Sequence, residues 1–508
     1  MRTAVYILFA IFFTGANLFS QVKGDSVIRR EIIRPSPLQE LKNDLDALLD
    51  NPDFSNANVG VAVLSLESGE YFYRKNENKN FIPASTQKLI TTAAALEFLG
   101  PDFRFYTNLY LDGEIQENGE FLGNIIIRGS GDPTLSEYFT DEPSEIIQEW
   151  VDVLDSLGIT SIRGNIIGDD SYFDDHYYAP GWSWDDMTYP YSSQVNAISF
   201  YDNKIDLHVF PGDSLNPVAS VSMFPENTYV QIINNVRTAQ HGEASEIGII
   251  REARTNIIEL YGNIARDTSV RDYRMDLAVT IHNPTRFILN LFKNSLERRQ
   301  IRFRGALFDI NDWHEKIRYV DMNPVHVRES KPVAEIIGIT NRESHNLCAD
   351  ILLKTIGKET RGEGSFSAGT EQLENFCMMS GINTDNIKLV DGSGLSRYNL
   401  MSPAYQIALL SAVYRSPYSD YFINSLARPG ENGTLERRMT RSLAENSVFA
   451  KTGTMNNISN ICGYIETRDD EMLAFSIMMN NFTVPQSLSR TLQDLICMRL
   501  ASFKRGKK

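Results

Sequence analysis

Leucines at 38, 41, 45, 48 and 49 recur at helical spacing behind Ser36 and Pro37, which predicts a helix entered at the proline. The run VGVAVLS, a Glu-Ser-Gly turn and YFYRKN have the pattern of a β-hairpin. A second helix is expected to begin around Ser85, in PASTQKLITTAAALEFL, and to close at Gly100-Pro101. From about 105 to 325 the apolar runs shorten to strand length and alternate with turn clusters such as LDGEIQENGEF and RGSGDPTLS. That stretch ends on a helical pattern, PTRFILNLFKNSLERR. Helical spacing returns from about 330, in KPVAEIIGITNRESHNLCADILLKTIG and again before Cys377. Three strand patterns follow, SVFAKTGT, ICGYIET and MLAFSIMMNNF, and then a helix, SLSRTLQDLICMRLASF. The two ends together predict one unit, an antiparallel sheet flanked by helices, with β-rich material inserted in the middle.

Composition narrows the possibilities. The 508 residues leave room for about three domains, and 42% apolar with 22% charged residues is an ordinary globular balance. A net charge of -16 argues against a nucleic-acid binder, which needs a basic face to neutralise phosphates. The start, MRTAVYILFAIFFTG, has an early arginine, a short apolar run and then small and polar residues, the layout of a secretory signal peptide. We expect cleavage near Ser20, export, and no integral membrane span after cleavage. In an exported protein Cys348, Cys377, Cys462 and Cys497 could form disulfides, but they show no metal-ligand spacing and sit mostly in apolar patterns, so buried thiols are expected. The seven histidines are scattered, zinc-protease signatures and a Gly-x-Ser-x-Gly elbow are missing, and no metal or organic cofactor is expected.

Three short elements carry chemistry by their order. Ser85-Thr86-Gln87-Lys88 comes first, Ser344-His345-Asn346 second, at the start of a helical stretch, and Lys451-Thr452-Gly453 third, in an apolar strand and followed by Thr454. The first alone is a cheap pattern, since Ser20 and Lys23 repeat it. On a helix, positions three apart share a face, so Lys88 can reach Ser85. A serine hydroxyl is a poor nucleophile until a base takes its proton, and a lysine can be that base only when neutral. Burial and the positive end of a helix both favour the neutral amine.

With GSGDPTLS, APGWSWDD, DGSGLSRYNLMSP and AKTGTMNNISNICGY beside them, the ordered trio resembles the penicillin-recognising serine acyltransferases. More closely, it resembles the low-molecular-mass class C penicillin-binding proteins, D-alanyl-D-alanine carboxypeptidases/endopeptidases of peptidoglycan. The resemblance covers nearly all of the chain after the leader. The long gap between Ser85 and Ser344 fits that family, which inserts two extra domains there, whereas β-lactamases have a shorter gap. It implies an α+β, multidomain chain with a penicillin-binding/β-lactamase-like transpeptidase fold. The divisions would be a signal peptide at 1–20, the first part of the transpeptidase-like domain at 25–104, two inserted domains at 105–325, and the second part at 326–508.

The resemblance also implies roles. Ser85 would be acylated with Lys88 as base, Ser344 would relay a proton to the leaving group, Asn346 would hold the substrate amide, and Lys451 would keep the site electropositive. Thr452 and Thr454 would receive the terminal carboxylate beside Gly453, and the N–H groups of Ser85 and Thr454 would form the oxyanion hole. Asp186 would pair with the amine of a diamino acid in the stem peptide, with Trp184 and Tyr191 packed around it. Peptidoglycan stem peptides are the implied partners, β-lactams the covalent inhibitors, and the periplasm the location in a Gram-negative envelope. His345 stands where the family commonly has aspartate. The competing functions are a β-lactamase, which would need a deacylating base that is missing between 346 and 451, and a non-catalytic peptidoglycan-binding scaffold, which would not require Ser85.

Overall fold

The leucine spacing at the start is realised as helix α1 (Pro37–Leu49), which buries Leu41, Leu45 and Leu49. A computed structural model describes residues 35–212, 218–239, 243–266 and 273–505. The expected leader at 1–20 lies outside the described residues, and every element below belongs to the unit Pro37–Lys508. The expected hairpin follows as β1 (Asn58–Ser65) and β2 (Tyr71–Lys75), paired antiparallel, and then helix α2 (Lys88–Phe98).

The chain next enters the β-rich region through β3 (Tyr106–Ile115), β4 (Glu120–Gly129), α3 (Glu145–Ser156), β5 (Ser161–Arg163) and β6 (Ile166–Asp169). Six strands come after them: β7 (Lys204–Phe210), β8 (Ser220–Phe224), β9 (Gln231–Ala239), β10 (Glu246–Arg251), β11 (Ile257–Ala265) and β12 (Met275–Thr280). The return runs through α4 (Pro284–Arg298), β13 (Arg302–Arg304), β14 (Leu307–Asp309) and β15 (His326–Glu329). Strands β3 to β6 and β13 to β15 form one sheet, while β12-β7-β8 and β10-β11-β9 form two small ones. Because β15 pairs with β3, this sheet extends to Glu329, past the expected limit of 325. Helix α3 was unexpected, although Ile146, Ile147, Trp150, Val151 and Leu154 bury one face at helical spacing. Trp150 meets Phe292 of α4 edge to face at 5.5 Å, so α3 and α4 share the core of this region.

The last segment supplies α5 (Val333–Arg342), α6 (Asn346–Arg361), α7 (Phe366–Met379), α8 (Pro403–Tyr414) and α9 (Ser419–Asn424). It closes with β16 (Val448–Met455), β17 (Ile458–Glu466), β18 (Met472–Asn480) and α10 (Gln486–Ala501). The two ends of the chain then make one antiparallel sheet in the order β16-β17-β18-β1-β2, with Asn58 opposite Asn480 and Ser65 opposite Leu473. Alternation along β18 explains its long apolar run. Leu473, Phe475, Ile477 and Met479 face α1 and α10, whereas Ala474 and Met478 face the helical layer of α2, α6 and α8. A sheet covered on both faces takes apolar side chains on both. All four cysteines are buried and free. Among the described residues, no helix is long and apolar enough to cross a membrane.

Trp150→Ala should lower the unfolding free energy by about 3–5 kcal/mol, the usual result of emptying a large aromatic site. A urea titration monitored by circular dichroism measures it. An unchanged midpoint would show that α3 does not anchor this core.

Candidate active site

Ser85 lies in a 3-10 turn, Ala84–Gln87, that leads directly into α2. Its side chain does not cap the helix. Instead its Oγ accepts a hydrogen bond from Lys88 Nζ at 3.0 Å. The turn is built under pressure from two neighbours. Ala84 takes a left-handed backbone, φ 47°, which costs an ordinary residue about 1–2 kcal/mol. A Cβ on Gly394 would lie 1.9 Å from the Ala84 carbonyl oxygen, and one on Gly453 would lie 3.1 Å from the Ser85 nitrogen. Both glycines therefore let backbone pack against the turn.

Lys88 is fully buried. Besides Ser85, its amine donates to Asn346 Oδ1 at 2.6 Å and to the Ser393 carbonyl at 2.7 Å. Burial pulls its pKa from the ordinary lysine range down to about 8, with Asp350 and Asp391 acting in the opposite direction. Asp350, one turn beyond Asn346 on α6, accepts the N–H groups of Gly392 and Ser393 at 2.7 and 3.0 Å. Burial and the neighbouring Asp391 raise its own pKa to about 7. Asp391 in turn accepts from Gly394, Ser396, Asn399 and Trp182. The DGSGLS loop is thus a rigid wall that presents the Ser393 carbonyl to Lys88. At the sequence level this loop supported only a resemblance; its structural task was not legible there.

The second and third motifs meet beside the first. Lys451 Nζ donates to Ser344 Oγ at 2.7 Å and to the Thr452 carbonyl at 2.8 Å. Burial and the nearby Lys88 lower its pKa well below the usual value. Ser344 has φ 62°, again left-handed, between α5 and α6. His345 caps α6, its Nδ1 accepting from the Cys348 N–H at 3.2 Å, and its Nε2 lies 3.2 Å from Asp202 Oδ1 in the β-rich region. Both side chains are nearly buried, and with Nδ1 accepting, Nε2 carries the N–H that the Asp202 carboxylate faces. Asn346 Nδ2 donates to the Tyr191 carbonyl at 2.7 Å. Strand β16 is an edge, and Ala450 directs its N–H and carbonyl outward to Ala427. Alternation then directs the backbone groups of Thr452 and Thr454 to the same free edge.

Two cavities open on Ser85 and Ser344. One, of about 500 Å³, is also lined by Asp186, Tyr191, Asn346, Arg397, Thr454 and Met455. The other, of about 570 Å³, is lined by Thr452, Thr454, Arg437 and Arg490. Tyr191 donates to Asp186 Oδ1 at 2.8 Å, as expected of a ring beside that carboxylate. Trp184 is different. It is 83% exposed and lines a separate groove, so it does not pack around Asp186; the 3-10 turn Trp184–Asp186 directs the two side chains to different sides. Arg437 escaped the sequence reading because it stands in a loop without a distinguishing pattern, and Arg397, although inside DGSGLSRYNLMSP, was read only as part of that resemblance.

Residues 41–502 match the D-Ala-D-Ala carboxypeptidase 3 (S13) family of serine peptidases, and the chain belongs to that family. It is 31% identical over 477 residues to the D-alanyl-D-alanine carboxypeptidase of an Actinomadura species, spanning 92% of this chain and 85% of that protein. It is 27% identical to the D-alanyl-D-alanine carboxypeptidase DacB of Haemophilus influenzae over 463 residues, 87% of this chain and 91% of the relative. Penicillin binding protein 4 of Haemophilus influenzae shares its fold, with a TM-score of 0.75 at 23% identity over 90% of this chain and 97% of that one. The protein is therefore a serine-type D-Ala-D-Ala carboxypeptidase by family.

Asp350→Asn removes a negative charge that holds Lys88 protonated. The titration of Lys88, followed by heteronuclear NMR of its side chain, should move below about 8. A midpoint that stays in place would show that Asp350 acts only through its two backbone hydrogen bonds.

Proposed function

We propose that Ser85 is the acylated nucleophile of this peptidase and that Lys88 is its base. The observation that carries the assignment is the partner set of the buried Lys88 amine. Asn346 Oδ1 and the Ser393 carbonyl can only accept, whereas Ser85 Oγ can also donate. When Lys88 is neutral it has two N–H groups and one lone pair, and among the described residues Ser85 supplies the one hydroxyl hydrogen-bonded to its nitrogen.

The chemistry follows from the geometry. Lys88 takes the Ser85 proton as Oγ attacks the carbonyl carbon of the penultimate D-alanine. The N–H groups of Ser85 and Thr454 stabilise the oxyanion. The C–N bond then breaks, and Ser344, joined to Lys451, passes a proton to the departing amine. Burial keeps Lys451 ready to give up a proton, which suits exchange with Ser344 better than a standing charge. Water afterwards hydrolyses the Ser85 ester. Thr452 and Thr454 receive the terminal carboxylate, with Arg437 and Arg490 supplying positive charge on that side. The peptide adds along the free edge of β16, and Asn346 exchanges its Tyr191 contact for the substrate amide. On the other side, Asp186 and Arg397 give the cavity one charge of each sign. That pair fits a stem-peptide side chain ending in both an amine and a carboxylate.

We place the division between the transpeptidase-like parts and the inserted domains near residues 104 and 330, and we assign residues 1–20 to a cleaved signal peptide. Export to the periplasm of a Gram-negative cell would bring the cleft to peptidoglycan and expose it to β-lactams as covalent inhibitors.

Incubation with a labelled penicillin should give a slowly lost covalent adduct on the wild type and none on Ser85→Ala. Rapid turnover would point to a β-lactamase, and no label with retained murein binding to a scaffold. The acylation rate should rise with pH through about 8, because only unprotonated Lys88 is a base. Lys88→Arg should slow acylation by about 10²–10⁴-fold, the usual contribution of a positioned base. A flat pH profile would contradict the role of Lys88. Asp186→Asn should reduce kcat/KM on peptides that carry the side-chain amine and leave neutral analogues unchanged. Equal losses on both would sink the Asp186 assignment.

A further inference from the structure

A second groove, of about 900 Å³, runs along the far side of the segment that carries Asp186. Exposed rings stand in it together: Trp184 at 83% exposure, Tyr189 at 42% and Tyr261 at 45%, with Ile250 beside them at 51%. Scattered exposed aromatics mean little, but rings gathered in one concavity mark a binding surface. Their platform is held in place. Tyr261 on β11 lies opposite Gly248 on β10, where a Cβ would come within 2.2 Å of its ring. The ring therefore lies flat on bare backbone. Tyr189 is stacked on Tyr191 at 5.6 Å with a 10° angle between the rings. The two walls are tied by Arg251, whose guanidinium donates to the Met187 carbonyl at 3.0 Å and to Thr280 Oγ1 at 3.2 Å.

The polar lining has charges of both signs, Asp175, Asp185 and Glu252 against Arg251 and Arg254, so it favours a neutral ligand rich in hydroxyl and amide groups over a polyion. Flat rings interleaved with such groups suit the apolar faces and polar edges of pyranose sugars. The groove and the catalytic cavity share one wall. Asp185 and Tyr189 face it, while Asp186 and Tyr191 line the catalytic cavity from the same short segment. A stem peptide is covalently attached to glycan. With its D-alanyl end at Ser85 and its diamino side chain at Asp186, its sugar end lies beyond Asp186, and each residue of an extended stem covers about 3.3–3.6 Å.

We propose that this groove holds the glycan strand of peptidoglycan, a chain of β-linked pyranoses bearing N-acetyl groups, while its stem peptide is cleaved at Ser85. The inference rests on the peptidase assignment above. Trp184, Tyr189 and Tyr261 stack on the sugar rings, and the charged rim hydrogen-bonds their hydroxyl and acetamido groups.

The test has two arms on the full chain. In the first, chitotetraose is titrated into the protein and followed by tryptophan fluorescence. Saturable binding is expected, weakened about tenfold in Trp184→Ala and in Tyr261→Ala, the scale of one lost aromatic contact. In the second, kcat/KM is compared on a free stem peptide and on the same peptide linked to its disaccharide. Tyr261→Ala and Gly248→Ala, which displaces the ring, should lose about tenfold on the linked substrate and nothing on the free peptide. Absence of chitotetraose binding, or equal activity ratios on the two substrates, overturns the proposal, as does a protein or second copy found on the groove with no sugar effect. Penicillin labelling of Ser85 in the same samples separates this failure from failure of the peptidase assignment, since a folded, acylated variant leaves the latter standing.

Discussion

The site depends on a buried ammonium group that two distant segments solvate together with the nearby Ser85. Lys88 comes from α2, Asn346 from the start of α6 and Ser393 from the loop between α7 and α8, and none of its three hydrogen bonds is local except that to Ser85. An unpaired charge in such a place would cost several kcal/mol, so each segment must arrive at the correct position or the lysine cannot stay buried. The interaction thereby ties the folding of the helical layer to the geometry of catalysis. It also explains the modest size of the pKa displacement. Desolvation pushes toward the neutral amine, while Asp350 and Asp391 restrain it, which leaves the lysine near the pH at which a base is useful.

The same region concentrates backbone strain. Ala84 and Ser344, one beside the nucleophile and the other the second-motif serine, both have left-handed φ values. A strained conformation persists only where its surroundings over-determine it. Here the surroundings are Gly394 and Gly453, which press backbone on the Ser85 turn, and the His345 cap, which starts α6 immediately after Ser344. The glycine of the Lys-Thr-Gly motif is therefore a steric requirement: strand β16 must lie against the turn so closely that a methyl group would meet the Pro83 oxygen at 2.7 Å.

Much of this was legible in the sequence, for identifiable reasons. The hairpin, the terminal strands and helices α1, α4 and α10 have apolar patterns that local physics suffices to interpret. The three motifs were legible because their order along the chain narrows what each may be, and the structure does bring Ser85, Lys88, Ser344, Asn346 and Lys451 into one cluster. Helix α3 had a clear helical spacing that the surrounding strands obscured, and α8 is buried around so much of its surface that no amphipathic period survives. Trp184 was misplaced because adjacent residues in a 3-10 turn leave on different sides, which spacing alone does not resolve. Asp350 was invisible because its importance comes from partners more than 40 residues away.

His345 shows how the β-rich region enters the chemistry without touching the substrate. Its Nδ1 is committed to the helix N–H of Cys348, so its contact with Asp202 must run through Nε2. Asp202 sits in a turn in which Tyr201, Asp202 and Asn203 all have positive φ, a conformation that needs support from outside the turn. The support is reciprocal: the turn holds the imidazole, and the imidazole occupies the one carboxylate of the turn that faces it. Since Ser344 precedes His345 directly, any displacement of that turn is transmitted to the hydroxyl bonded to Lys451. A residue with a shorter side chain, such as aspartate, could still cap the helix but would offer no N–H to Asp202. The histidine thus exchanges a simple cap for a cap that also couples the inserted strands to the proton-relay serine.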